Sequence, residues 1–96
     1  MYYVYILTNQ TNSMLYIGIT NDIKRRLIEH QSDINDGFTK KYKTHKLVYF
    51  EEFKDSYQSI LREKQLKKWR RSKKNELIER MNPVWEDLSE GVFIRF

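Results

Sequence analysis

A chain of 96 residues without a cysteine leaves room for one compact domain and excludes disulfide scaffolds and thiolate zinc sites. Aromatic side chains make up 15% of it and supply bulky core material for a small fold. The net charge of +5 points toward a polyanionic partner, and no apolar run approaches the roughly 20 residues needed to span a bilayer.

In chain order, Tyr2–Leu7 is an unbroken aromatic and β-branched run, the pattern of a buried strand. Thr8–Ser13 is turn-rich and Met14–Ile19 resumes the strand pattern, so the two runs predict a β-hairpin. Thr20, Asn21 and Asp22 offer N-caps for a helix of about ten residues beginning near Ile23. Residues 32–46 are polar and irregular, with Gly37 and the basic run Lys40-Lys41-Tyr42-Lys43. Leu47–Phe53 predicts a third strand. Asp55 or Ser56 then caps a second helix reaching about Arg71. Ser72 caps a third over Lys73–Met81, which stops before Asn82-Pro83 because proline disfavours helical backbone in its predecessor. Val92–Phe96 is apolar and fits either a terminal strand or simple packing.

The order ββαβαα, hairpin first, predicts an α+β fold in which helices flank a small three-stranded antiparallel sheet. No repeat, low-complexity tract or linker divides residues 1–96, so a single domain is expected. Met1-Tyr2-Tyr3-Val4 lacks the basic lead and cleavage site of a signal peptide, which makes the expected location cytoplasmic.

The positive charge is concentrated. Arg62–Lys74 holds eight Lys or Arg and one acid, Glu63. Lys67, Lys68, Arg70 and Arg71 in that stretch, with Lys40, Lys41 and Lys43 before the third strand, are the candidate phosphate contacts. A solvated helix face is the plainer account of the same charges.

Helical angles pick out two polar side chains near the sheet. At about 100° per residue, Ile23, Leu27 and Ile34 form one stripe, with His30 inside it and Arg26 on its margin. Both lean toward Tyr16 of the preceding strand. A rim arginine covering apolar surface and a satisfied core histidine are the structural alternatives. Glu63 lies between Ile60 and Leu66 on one helical ridge, where an unpaired carboxylate is costly. An i,i+4 ion pair with Lys67 is one account, and a divalent-metal ligand is the other.

Taken together, Tyr3-Val4-Tyr5, Tyr16-Ile17-Gly18, Arg26 and His30 resemble the GIY-YIG nuclease superfamily. The resemblance is strongest to its small stand-alone members, which share the run from Tyr16 to His30, Leu47–Phe53, Glu63–Trp69 and Asn82-Pro83. It implies a divalent-metal-dependent endonuclease acting on DNA, in repair or recombination, with Mg²⁺ or Mn²⁺ as a single ion. Tyr5 and Tyr16 match the motif tyrosines, one of which activates or positions the attacking water. Arg26 matches the arginine that steadies phosphate charge, Glu63 the metal-holding acid, and His30 and Asn82 supporting polar positions. Gly18 matches the motif glycine. Tyr5, Tyr16, Arg26 and Glu63 are accordingly expected around one cleft.

The sequence departs from the pattern in two places: Tyr3 replaces the first motif glycine, and the spacing from Glu63 to Asn82 is long. Family members usually carry an added domain that sets specificity, so low intrinsic specificity or a protein partner is expected here. Two other classes remain open from the residues. One is a nucleic-acid-binding module of the same fold that hydrolyses little, and the other an interaction domain whose basic helix docks on an acidic protein.

Overall fold

The computed structural model describes residues 1–32 and 43–95. Three strands form one antiparallel sheet in the order β2-β1-β3, with β1 spanning Tyr2–Thr8, β2 Leu15–Thr20 and β3 Lys46–Phe53. The uninterrupted apolar run of β1 explains its central place, since a strand buried on both faces gains nothing from alternation. Its two faces nevertheless carry different residues. Tyr3, Tyr5 and Leu7 point one way, and Val4 and Ile6 the other.

Helices cover both faces. On the Tyr5 face lie α1 (Ile23–Gln31) and a short C-terminal α4 (Ser89–Arg95), whose Ile23, Leu27 and Val92 pack with Tyr3, Tyr5, Leu7 and Leu47. On the Val4 face lie α2 (Ser56–Lys68) and α3 (Arg71–Met81), whose Leu66, Leu77 and Ile78 pack with Val4, Ile6, Ile17 and Val48. The expected α+β class and three-stranded antiparallel sheet are what the chain forms.

The local signals account for most element ends. Asp22 caps α1 by accepting from Arg25 N at 3.0 Å, and Asp55 caps α2 by accepting from Tyr57 N at 2.9 Å. α2 ends earlier than expected, because Trp69 and Arg70 adopt extended backbone between it and α3. Lys73 and Arg62 both lie over the Trp69 ring, 4.2 and 5.2 Å from its centroid, and these contacts anchor the break without proline or glycine. The new helix starts at Arg71, so Ser72 lies in its first turn instead of capping it. The apolar C-terminus is helical, and Asp87 seats it by accepting from Leu47 N and from Ser89.

Candidate functional site

One hydroxyl organises the candidate site. Tyr5 stands in the middle of β1, directly across from Gly18 of β2 and Phe50 of β3. Its side chain turns to the α1 face and is 1% exposed. The phenol oxygen occupies the space above Gly18, where a β-carbon would collide with it and press on Tyr16 Cε1 at 3.0 Å. A glycine across from an aromatic ring leaves that ring room to lie over the neighbouring strand.

Two side chains from α1 converge on this oxygen. Arg26 donates to it from Nε at 3.1 Å, and His30 Nε2 lies 3.2 Å away. Ile23, Leu27 and His30 form the buried stripe of α1, with Arg26 half-buried at its margin, as the helical period requires. Ile34, expected on the same stripe, lies outside the described residues. Glu29 takes Arg26 Nη1 at 3.2 Å, one turn along the helix. Burial alone draws the Arg26 guanidinium down, but the hydrogen bond and charge of Tyr5, with smaller help from Tyr16 and Glu29, raise it above an ordinary arginine. It stays a cation throughout the accessible pH range.

Tyr16 completes the cluster. Its ring lies 6.3 Å from that of Tyr5 at a 30° interplanar angle and 5.1 Å, edge-on, from that of His30. Tyr5 and His30 are buried, whereas Tyr16 and Arg26 are only half-buried. Two accessible groups, a phenol and a guanidinium, therefore rest on two buried ones. A fixed cation beside phenol oxygens favours the phenolate, and a guanidinium fork matches phosphate geometry.

The other expected site residues are placed elsewhere. Asn82 is 2% exposed and ends α3. Its Nδ2 donates to the Val48 and Glu86 carbonyls at 3.1 and 2.8 Å, and its Oδ1 accepts from Glu86 N at 3.0 Å. Both amide protons are spent on backbone, so Asn82 pins the turn after α3 to β3 and is not a member of the cluster. The resemblance implies a supporting polar role for Asn82 in the catalytic set, and its side chain is engaged with backbone away from the tyrosines. Glu63 belongs to α2, whose Leu66 packs on the Val4 face, opposite the tyrosines. α2 packs chiefly against β1 and the edge strand β2, so the acid's helix and Tyr16 flank one sheet edge from opposite faces. Of the four residues expected around one cleft, Tyr5, Tyr16 and Arg26 come together and are joined by His30, whereas Glu63 belongs to a helix on the far layer.

The Glu63 side chain is 16% exposed and makes an ion pair with Lys67 at 3.0 Å. Among the described residues no three His, Cys, Asp or Glu side chains cluster as metal ligands. A closed protein cage is therefore absent there. One mostly buried carboxylate is nonetheless the donor set that suits Mg²⁺ or Mn²⁺, whose remaining positions are filled by water and substrate phosphate.

The basic residues divide in the same way. Lys68 and Arg70 are exposed. Arg71 is engaged, donating to the Asn12 and Ser13 carbonyls of the β1–β2 loop and to Asn75. Lys43, with Lys46, His45, Gln10 and Gln31, lines an open depression of about 720 Å³. Lys40 and Lys41 lie outside the described residues. Glu29 was not singled out by sequence reasoning, although its i,i+3 spacing from Arg26 signals the pair.

The family model described as GIY-YIG catalytic domain matches residues 1–76. The UPF0213 protein of Clostridium perfringens is 38% identical over 78 residues, covering 81% of this chain and 83% of the relative. That of Bacillus pumilus is 35% identical over 80 residues, covering 83% of this chain and 81% of the relative. The solution NMR structure of a UPF0213 protein from Bacillus halodurans superposes with a TM-score of 0.58 at 28% identity, covering 94% of this chain and 96% of that one.

Proposed function

The chain belongs to the GIY-YIG catalytic-domain family, and on that premise we propose that it is a divalent-metal-dependent endonuclease hydrolysing DNA phosphodiester bonds. The observation that carries this reading is the convergence of Arg26 Nε and His30 Nε2 on the Tyr5 hydroxyl, beside half-buried Tyr16. A buried phenol that only packs is satisfied by a single partner, whereas this one gathers both a guanidinium and an imidazole.

In this reading Tyr16, the accessible phenol of the pair, acts as its phenolate beside the Arg26 cation and takes the proton from the attacking water to become a neutral phenol. Arg26 meets the charge that grows on the phosphoryl oxygens. Tyr5 and Glu29 hold the guanidinium at two of its nitrogens, so little orientation is left to find when phosphate arrives. His30 keeps the Tyr5 oxygen in register. Glu63 would hold the Mg²⁺ or Mn²⁺ ion, which supplies Lewis-acid stabilisation when bound. Exposed lysines and arginines of the α2–α3 region grip the backbone, a contact blind to sequence, so selectivity comes from DNA form or from a protein partner.

The test is incubation of the purified protein with nicked, branched and duplex DNA in Mg²⁺, Mn²⁺ or EDTA. Cleavage of at least one form with metal and none in EDTA is expected, together with loss of turnover in Arg26→Ala at similar DNA affinity. The second reading is a binding module of the same fold. It is favoured by the Glu63–Lys67 ion pair on the layer opposite the tyrosines. Tight DNA binding with no cleavage of any form under any metal would establish it.

A further inference from the structure

We infer that Lys67 is the resident counter-ion of the Glu63 carboxylate and competes with the divalent metal for it. The inference rests on the nuclease reading above, in which Glu63 holds the ion. Three observations carry it. The Glu63 side chain is 16% exposed, too buried to be left as a lone charge cheaply. Among the described residues its partner is Lys67, whose Nζ lies 3.0 Å from Oε2. Lys67 itself is 53% exposed and unbranched, so its ammonium can swing into solvent when the carboxylate gains a stronger cation.

The arrangement joins two accounts that read as rivals in the sequence. The ion pair and the metal site use one carboxylate in turn, and Lys67 keeps that carboxylate compensated while no metal is bound. Arrival of a divalent ion displaces the ammonium, because two positive charges within a few ångströms of each other repel. The released Lys67 then faces outward beside Lys64 and Lys68, where it joins the cations available to a phosphate backbone. Metal loading and nucleic-acid affinity are coupled through this one side chain, and linkage makes the coupling reciprocal.

Mn²⁺ binding followed by electron paramagnetic resonance on the DNA-free protein gives a readout independent of cleavage. Lys67→Gln should tighten Mn²⁺ about three- to tenfold, because it removes the competing charge and keeps a polar side chain. Lys67→Arg retains the charge and should bind Mn²⁺ as the wild type does. Glu63→Gln should weaken Mn²⁺ by more than tenfold. Wild-type Mn²⁺ affinity in Lys67→Gln, or a weaker one, overturns the competition while Glu63→Gln still identifies the ligand. Wild-type affinity in Glu63→Gln instead removes the metal assignment itself, and the inference falls with it.

Discussion

The Tyr5 hydroxyl lies over Gly18, closer than any β-carbon at that position would permit. Replacing Gly18 with alanine must therefore move the ring of a residue that Arg26 and His30 hold from the other side. Gly18→Ala should lower stability by about 1–3 kcal/mol, the usual range for overpacking, and should lose cleavage because Arg26 loses its anchor. Urea unfolding measures the first effect and single-turnover cleavage the second. A variant with wild-type values of both would mean that Tyr5 has space to yield.

The two motif tyrosines should separate by their exposure. Tyr5→Phe removes the hydroxyl on which Arg26 Nε and His30 Nε2 converge and should cost about 1–3 kcal/mol of stability as well as activity. Tyr16→Phe removes a hydroxyl from a half-buried position and should leave stability within about 0.5 kcal/mol of wild type while abolishing cleavage. Melting curves and cleavage rates on the same two proteins decide it. Equal destabilisation by both would assign Tyr16 to packing.

Much of this geometry is written in local pattern. The apolar run of β1, the turn-rich loop and the Ile23-Leu27-His30 stripe each follow from a period of two or 3.6 along the chain, which fixes which side chains share a face. Period says that a residue faces the sheet, but not which face the helix covers. Of Ile60 and Leu66, expected to flank Glu63 on one ridge, only Leu66 is buried while Ile60 is 43% exposed, and the helix that carries them lies on the layer opposite Tyr16. Long-range contacts were equally invisible. Asp87 ties the start of α4 to Leu47 of β3, 40 residues away in sequence, and the apolar tail that reads as strand or packing is a helix. Residue type alone leaves Asn82 open, since an amide suits a phosphate site and a helix end alike.

Asn82 gives the next prediction. Its amide satisfies two carbonyls and one N–H of the backbone in a nearly closed environment. Asn82→Ala should destabilise the fold by about 2–4 kcal/mol, since it leaves several buried polar groups unpaired. Cleavage per folded molecule should be unchanged below the melting range. Loss of turnover at wild-type stability would return Asn82 to the catalytic set.

Tyr49 predicts a pH effect. Burial, and the hydrogen bond it donates to Glu51, push its phenol above the ordinary tyrosine value, outweighing the nearby Arg62. A raised folded pKa means that the neutral phenol is the form the fold favours. Its contribution is complete below the unfolded value of about 10 and is lost as pH rises through the folded value. The stability advantage of wild type over Tyr49→Phe should therefore shrink between pH 9 and pH 11 (roughly the span around that unfolded value). Urea midpoints of both proteins across that range test it, and a constant gap would place the titration elsewhere.

The last prediction concerns the grip on nucleic acid. Lys64, Lys68 and Arg70 are exposed along the end of α2 and the break that follows it. Arg71 is different, because its guanidinium already holds the Asn12 and Ser13 carbonyls and lies 6.0 Å from the centre of the Trp85 ring. If phosphate contacts are made by the exposed set, replacing Lys64, Lys68 and Arg70 with glutamine should reduce the slope of log affinity against log salt by about 2–3. Stability should hardly change, since exposed charges contribute little to folding. Arg71→Gln should do the reverse, loosening the β1–β2 loop and lowering the melting temperature with a change in slope of at most about 1. The comparison uses duplex DNA titrations at several salt concentrations. A triple variant with the wild-type slope would move the binding surface to the depression lined by Lys43 and Lys46, where the same substitutions and titration can then be repeated.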